Sequence, residues 1–254
     1  SYLYGTIHII CENDMEITDS LTACFNSTEH LVMELDMDKK VSMTMAMLLN
    51  ITMADEDVLT DYLTQGQYDT VKQFYADTLG MNLDAMKRFK PMITQMMMMA
   101  AAPKDTSCNM LGYETVYTAM AKERKMKVTG LETTKDQMAV FDSIPYDQQA
   151  ESLYLSVVHY QEGLDQFDEM VEIYKTRDVD SLYNYTMGAE AGEEYTENED
   201  VLLGRRNRNW IPLIAKKTKK GPCFIAVGAA HLGGESGVIN LLRQEGYTVD
   251  PVQY

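Results

Sequence analysis

Four short apolar runs recur along the chain, and each ends at a polar residue or in a glycine-containing break. Runs of this length and boundary are typical of buried β-strands. The predicted strands are residues 2–4, 31–35, 127–131 and 223–227, with a fifth at residues 247–252. Because Pro251 cannot donate to a strand ladder, we expect the fifth strand to lie at a sheet edge.

The segments between these runs carry apolar residues three and four positions apart, which is the helical period. The predicted helical regions are residues 15–24, 40–102, 111–125, 137–185 and 201–217. Pro145 interrupts the fourth region, because proline has no N–H and restricts the residue before it. Strands that alternate with helices predict an α/β (α+β) fold, in which helices flank a mixed, partly parallel β-sheet core. We expect one domain over residues 1–254, with a Met-rich helical insertion at about residues 40–125.

The formal net charge of −17 argues against a nucleic-acid partner, because binding phosphates requires a basic surface. The chain has no run of roughly 20 apolar residues, so no membrane span is predicted. It begins in an apolar run without an initiator Met, and we therefore expect a leader or a lipid anchor upstream.

The four cysteines lack the C-x-x-C spacing of a zinc knuckle. Four thiols allow three complete disulfide pairings, of which Cys11 with Cys24 is the most local, and buried free thiols fit the sequence equally well. Among the 20 methionines, the run at residues 96–99 has no Cys or His beside it, so we expect it to pack in a helical core.

Two of the four histidines follow a strand-like run by the same plan of Gly, two residues, His. They are His8 after Gly5 and His231 after Gly228. A glycine allows close backbone approach at a strand end, and neutral imidazole is the commonest metal ligand and a frequent general base. Two matched motifs at opposite ends of the chain indicate one shared site.

Carboxylates follow the two middle strands, with Glu34 and Asp36 after one and Glu132 after the other. Ligands of open α/β sheets bind at the carboxyl ends of the strands, so we expect these groups to meet the two histidines there. Two histidines with one or two glutamates suit a divalent metal such as manganese, cobalt or zinc. Arg206, in a strongly acidic chain, is either a surface residue paired with Glu197 or Glu199 or a candidate for stabilising an oxyanion.

These residues together resemble the TraB/GumN/PrgY family, and the motifs occur in the expected order over nearly the whole chain. The resemblance rests on LYGTIH at residues 3–8, ELD at 34–36, GLET at 130–133, RN at 206–207, VGAAHLGG at 227–234 and the tail at 237–252. The family is similar to the Tiki metalloproteases, and more distantly to erythromycin esterases and haem-binding lipoproteins of the ChaN type.

The resemblance implies a mixed α/β fold with a helical insertion, and an exported protein: secreted or periplasmic, or a membrane-anchored lipoprotein. It carries over His8, Glu34, Glu132, Arg206 and His231 as the site residues. A further carboxylate, Glu114, stands where many relatives have an Asp, and the resemblance implies a part for it in the site.

The resulting hypothesis is a metal-dependent hydrolase of a peptide or protein substrate. His8, His231 and Glu34 would hold the metal, which would activate a water. Glu132 would act as base and then acid, and Arg206 would stabilise the oxyanion. Two alternatives remain open: a metal-free, esterase-like hydrolase with a histidine general base, and a non-catalytic protein that sequesters a peptide or haem.

Overall fold

A computed structural model describes residues 1–36, 44–45, 48–101, 108–188 and 196–252 of the chain. The chain divides into two compact units. The first comprises Ser1–Met43, Ser107–Thr133 and Met170–Tyr254, and the second comprises Thr44–Thr106 and Thr134–Glu169. The predicted insertion at about residues 40–125 thus overlaps the first segment of the second unit.

The first unit contains a four-stranded parallel sheet and a separate two-stranded antiparallel ladder. The strands are β1 (Tyr2–Thr6), β2 (Ile10–Cys11), β3 (His30–Met33), β4 (Met110–Leu111), β5 (Lys127–Gly130) and β6 (Cys223–Gly228). The order in the parallel sheet is β1-β6-β3-β5, and β2 pairs with β4. The mixed α/β fold class is therefore confirmed.

The last strand in the chain, β6, lies inside the sheet between β1 and β3. Its first five residues are all buried, as expected for a strand covered on both faces. Residues of β6 share one hydrophobic core with Trp210 and Ile214, which precede the strand in sequence. Val238 and Leu242, which follow the strand, belong to the same core. Because β6 is paired on both edges, the position of its carboxyl end, where the second Gly-x-x-His motif begins, is fixed.

Ten helices are named in the described part of the chain. They are α1 (Asp19–Asn26), α2 (Gln65–Leu79), α3 (Pro91–Ala101), α4 (Tyr113–Glu123), α5 (Thr134–Asp142), α6 (Tyr146–Val158), α7 (Tyr160–Lys175), α8 (Val179–Met187), α9 (Arg205–Thr218) and α10 (Val238–Gln244). A turn of π-helix, Asp200–Gly204, leads directly into α9. None of the helices in these described ranges is long and apolar enough to cross a membrane.

The second unit is helical and has its own core, which includes Met53, Met86 and Met98. The expectation for the methionine run is correct in part, because Met98 is buried whereas Met96 is 49% exposed. The long helical stretch predicted for residues 40–102 is shorter in the structure. Helix α2 begins at an N-cap formed by Thr64 and ends at Gly80 in the left-handed conformation, which stops the helix.

One sequence-based expectation is wrong, and one question that the sequence left open has an answer in the structure. Residues 247–252 form no strand, because the segment finds no partner strand among the described residues and runs as coil after α10. Among the cysteine pairings that the sequence left open, the structure has a disulfide between Cys11 and Cys108, and Cys24 and Cys223 are free thiols. The disulfide joins Cys11 of β2 to Cys108, which lies just before β4, and the pairing of these two strands brings the distant cysteines together.

Candidate functional site

The carboxyl ends of the four parallel strands meet at one edge of the sheet. Thr6 pairs with Gly228 between β1 and β6, and Met33 pairs with both Ala226 and Gly130 across β3. The segments that leave these ends carry the side chains singled out in the sequence: His8, Glu34, Glu132 and His231. The strand register therefore brings residues from the two ends of the chain to one location.

Arg206, in the first turn of α9, is the centre of this cluster, and all of its N–H groups are engaged. Its Nη2 donates to Glu34 Oε2 at 2.7 Å and to Glu132 Oε1 at 2.5 Å, and its Nε donates to Glu132 Oε2 at 3.1 Å. Its Nη1 donates to the carbonyl of Leu202 at 3.0 Å and approaches His231 Nε2 at 3.0 Å. A guanidinium has five N–H donors, so these five contacts use its full capacity.

Glu132 is held through both carboxylate oxygens. Besides the paired contacts with Arg206, its Oε2 accepts a hydrogen bond from the indole N–H of Trp210 at 3.2 Å. The Arg206 guanidinium also lies over the Trp210 ring, 5.1 Å from the ring centroid. The Glu132 side chain is only 7% exposed, and a carboxylate is costly to bury without a partner. Arg206 and Trp210 supply the donors that its two oxygens need.

Glu34 is buried and bridges the guanidinium and the backbone of the second Gly-x-x-His motif. Its second oxygen, Oε1, accepts the N–H of Gly228 at 2.8 Å. Burial by itself would raise the pKa of the Glu34 carboxyl, but attraction to the surrounding histidine and Arg206 side chains and the Gly228 N–H lowers it to about 2. A side chain at Gly228 would place its Cβ 3.3 Å from Glu34 Oε1, so the glycine permits this close approach.

The tautomer of His231 follows from its neighbour Asn207. The Asn207 Nδ2 donates to the carbonyls of His231 and Ser236, so its Oδ1 is the acceptor that faces His231 Nδ1 at 2.6 Å. His231 therefore carries its proton on Nδ1, and its Nε2 lone pair accepts from Arg206. Burial lowers the pKa of His231 to about 3, so the ring is neutral near pH 7.

His8 differs from His231 because its side chain is 65% exposed and is anchored by a carboxylate. Its Nδ1 lies 2.8 Å from Glu114 Oε1, and the same oxygen accepts the hydroxyl of Thr6 at 2.6 Å. The hydrogen bond to Glu114 raises the pKa of His8 to about 9. The other ring nitrogen, Nε2, has no hydrogen bond to any residue in the described part of the chain. A His-Glu pair with one open imidazole nitrogen is suited to proton transfer.

The His8–Glu114 pair is held by the short ladder that follows β1. Strand β2 pairs with β4, which leads through Gly112 into α4 and so delivers Glu114 beside His8. A Cβ on Gly112 would lie far inside contact distance of the His8 carbonyl oxygen and 3.1 Å from Glu114 Oε2. The disulfide between Cys11 and Cys108 ties the two sides of this ladder together.

The predicted metal ligands His8, His231 and Glu34 each contact another side chain in the structure, and metal binding by them stays a prediction. His231 Nε2 and Glu34 Oε2 both face the Arg206 guanidinium, and the separation of His231 Nε2 from Glu34 Oε1 is 3.8 Å. No group of three or more His, Cys, Asp or Glu side chains in the described residues is placed to hold a metal ion. A divalent ion at these donors would require the guanidinium to move, because two cations at this separation repel each other.

Three contributors to the site were not predicted from the sequence: Asn207, Thr6 and Trp210. Asn207 and Thr6 lie inside the motifs that were singled out, and each has a polar side chain next to a predicted site residue. Trp210 lies four residues after Arg206, one turn along α9, which is a spacing that places two side chains on the same helix face. These spacings can be read from the sequence. The tautomer of His231 and the five contacts of Arg206 depend instead on which side-chain atoms face each other in the fold.

Comparison with known proteins supplies the identity at the level of a family. The model of the TraB/PrgY/gumN family matches residues 1–251. No curated protein and no solved structure matches the chain. Since the match extends over all but the last three residues, the chain belongs to the TraB/PrgY/gumN family.

Proposed function

We propose that this protein is a hydrolase of peptide or amide bonds in which His8 transfers the proton. The observation that carries the proposal is the His8–Glu114 pair, with Nδ1 anchored at 2.8 Å and an exposed ring. A carboxylate that holds one imidazole nitrogen fixes the ring orientation and leaves the other nitrogen for the reaction.

In the proposed reaction, Nε2 of neutral His8 takes a proton from a water that attacks the substrate carbonyl carbon. The tetrahedral species collapses when the bond from carbon to the leaving nitrogen breaks, and the His8 proton passes to that nitrogen. The water thus supplies the new C–OH group and the proton of the released amine. Since the pKa of His8 is about 9, the neutral form and hence the rate should increase as the pH rises towards 9.

The Arg206 cluster has a positioning role in this proposal. Its five donors are engaged by Glu34, Glu132, Leu202 and His231, so an oxyanion would have to displace one of these partners. The buried cluster instead favours the ionised form of Glu34, which accepts the N–H of Gly228 and so holds the turn after β6 in place. The catalytic roles predicted from the sequence for Glu34, Glu132 and Arg206 stay predictions.

A metal-dependent hydrolase is the second candidate, and one observation favours it. Both histidines are anchored through Nδ1 by an oxygen, His8 by Glu114 and His231 by Asn207. Such oxygen partners are typical of histidines that bind a metal through Nε2. Binding would require Arg206 to release His231, so we assign no reaction step to a metal.

Cleavage of a peptide library, read by mass spectrometry, tests both candidates. Wild type, H8Q and the exposed-histidine control H159Q are compared with chelator and with added manganese, cobalt or zinc. Chelator-resistant cleavage that is lost in H8Q and kept in H159Q supports the proton-transfer proposal. Cleavage only with added metal supports the second candidate, and no cleavage by folded wild type under any condition contradicts both.

We also propose that the protein is exported, as the family resemblance implies. The disulfide between Cys11 and Cys108 supports this, because such bonds persist in oxidising compartments and are rare in the cytosol. Alkylation of the native protein, followed by mass spectrometry, should label Cys24 but neither Cys11 nor Cys108. Labelling of Cys11 and Cys108 in protein isolated from its native compartment would contradict the proposal.

A further inference from the structure

Two donors meet on one oxygen of Glu114, in the first turn of α4. The Thr6 hydroxyl donates to Glu114 Oε1 at 2.6 Å, and His8 Nδ1 lies 2.8 Å from the same oxygen. Thr6 is the last residue of β1, where it pairs with Gly228, and it is only 2% exposed. The sheet therefore holds the threonine, whereas the His8 side chain is 65% exposed.

The direction of these two hydrogen bonds follows from the chemistry of the groups. An ionised carboxylate can only accept, so the Thr6 hydroxyl and the His8 N–H are both donors to Glu114 Oε1. Neutral His8 then carries its proton on Nδ1. Its Nε2 has the lone pair that the proposed reaction requires.

The Glu114 carboxylate has to keep one orientation for this tautomer to persist. The helix backbone alone does not fix that orientation, because rotation about the last bond of a glutamate side chain is only weakly restricted. Oε1 faces Thr6 and His8, whereas Oε2 lies beside Gly112, where an added Cβ would stand 3.1 Å away. Of the two donors to Oε1, only Thr6 is itself buried in the sheet, so Thr6 is the one that fixes the carboxylate.

We propose that Thr6 is a positioning residue of the site: its hydroxyl orients the Glu114 carboxylate, which in turn holds the proton of neutral His8 on Nδ1. This inference rests on the proposed function, since it explains how Nε2 of His8 is kept ready to accept a proton. Thr6 acts through Glu114 and does not contact the substrate in this proposal. Without the hydroxyl, the carboxylate can rotate away, and a His8 ring that lacks its acceptor divides its proton between the two nitrogens.

The nitrogen-15 resonances of the His8 ring measure this tautomer directly. At about pH 10, a histidine with a pKa of about 9 is mostly neutral, and the spectrum shows which ring nitrogen carries the proton. T6V keeps the β-branched shape that suits a strand and removes the hydroxyl, whereas T6S keeps the hydroxyl. We expect the Nδ1–H form in wild type and in T6S, and a mixture of both tautomers in T6V.

T118V is the matched control, because Thr118 also donates its hydroxyl to Glu114. The acceptor is the backbone carbonyl of Glu114, at 2.6 Å, and not the carboxylate. Thr118 is 5% exposed, so T118V makes the same chemical change at a similarly buried position. T118V should keep the Nδ1–H form. A pure Nδ1–H form in folded T6V, or an equal mixture of tautomers in T6V and T118V, would overturn the proposal.

Kinetic measurements separate the failure of this inference from the failure of the hydrolase. If wild type cleaves the peptide library, T6V should lower kcat by about tenfold with little change in KM, because only the fraction of His8 with a lone pair on Nε2 can accept the proton. T6S should recover most of that loss. Equal kcat values for T6V and wild type, together with an inactive H8Q, would overturn the role of Thr6 while the hydrolase function stands. If wild type cleaves nothing, the tautomer measurement still decides whether Thr6 orients Glu114.

Discussion

His8 and His159 each lie beside a glutamate, at 2.8 Å from Glu114 and 3.0 Å from Glu162. The first glutamate is largely buried and is reached across the fold, whereas the second is 72% exposed and three residues away on one helix turn. Water screens the exposed pair much more than the pair at Glu114. The environment of the carboxylate, and not the presence of a His-Glu contact, therefore distinguishes the proposed catalytic histidine.

Removing the carboxylate charge with E114Q should lower the pKa of His8 from about 9 towards the ordinary 6.5. The hydrogen bond to the Glu114 carboxylate is the main cause of the raised pKa, and a glutamine amide can accept that hydrogen bond but lacks the charge that stabilises the protonated ring. The measurement is an NMR titration of the His8 ring protons. E162Q, the matched change at the exposed pair, should leave the His8 titration unchanged.

E114Q should also change the pH dependence of the unfolding free energy. The contribution of His8 to stability decreases as the pH rises, whereas acid unfolding is a loss of stability as the pH falls. A raised pKa in the folded state stabilises the protein below pH 6.5, and this contribution is lost as the pH rises towards 9. Between pH 6.5 and 9, the unfolding free energy of E114Q, measured by urea titration, should therefore decrease less than that of wild type. A wild-type His8 that titrates near 6.5 would contradict the assigned pairing with Glu114.

Arg206 and Arg208 provide a second contrast at the residue scale. R206M would leave Glu34 and Glu132 buried without their cation, and breaking a buried pair of this kind costs about 3–5 kcal/mol. R208M removes only the pair with Asp200, whose side chains are 48% and 61% exposed, and should cost at most about 1 kcal/mol.

Urea unfolding of both variants measures these costs. The triple variant R206M/E34Q/E132Q should recover part of the unfolding free energy that R206M loses. It replaces the two buried carboxylates, which have no cation in R206M, with neutral amides. A loss for R206M that is no larger than that for R208M would contradict the buried network.

At the scale of elements, Gly112 controls how closely the β2 and β4 segments approach. G112A would place a methyl group against the His8 carbonyl and near Glu114 Oε2, so the two segments must separate. We expect a destabilisation of about 1–3 kcal/mol and a lowered pKa of His8, because its partner is displaced. Thermal unfolding and the His8 titration measure the two effects together.

Gly66 is the matched control, since nothing lies within 4 Å of a Cβ added there. Gly66 lies in the first turn of α2, and alanine is the better helix former, so G66A should be neutral or stabilising by up to about 1 kcal/mol. Equal effects of the two substitutions would show that Gly112 has no special steric role.

The elements that the sequence predicts well are those with a strong local signal. The apolar runs that precede Gly5 and Gly228 form strands, and each observed strand of the parallel sheet lies within two residues of its predicted limits. The strand expected at residues 247–252 fails, since this segment pairs with none of the strands in the described part of the chain. The short β2–β4 ladder has too few residues to give a periodic signal.

The site is predictable to a similar degree. Its histidines can be named from the two Gly-x-x-His motifs and its glutamates from the ends of the middle strands, since the carboxyl ends of parallel strands converge. The role of each member cannot be predicted from the sequence, because it depends on which atoms of Arg206 and His231 face each other. Glu114 is the clearest example: it is distant from His8 in sequence, and only the β2–β4 pairing brings the two together.

At the scale of the whole molecule, the buried cluster should make the protein sensitive to acid. Burial lowers the pKa of His231 to about 3 in the folded state, against 6.5 in an unfolded chain. The pKa of Glu34 is about 2 when folded and 4.5 when unfolded. In both cases the unfolded chain binds more protons, so stability falls as the pH falls, through 6.5 to 3 for the histidine and through 4.5 to 2 for the glutamate.

Comparing wild type with H231Q isolates the histidine contribution. Between pH 6 and pH 5, each extra proton bound by the unfolded chain steepens the pH dependence of the unfolding free energy by about 1.4 kcal/mol per pH unit. H231Q should therefore show a slope that is shallower by up to this amount, even though its stability is lower at every pH. The exposed-histidine control H159Q should follow the wild-type slope more closely. Parallel pH curves for wild type and H231Q would mean that His231 is not held neutral in the fold, and the contact between Arg206 Nη1 and His231 Nε2 could then not be a hydrogen bond.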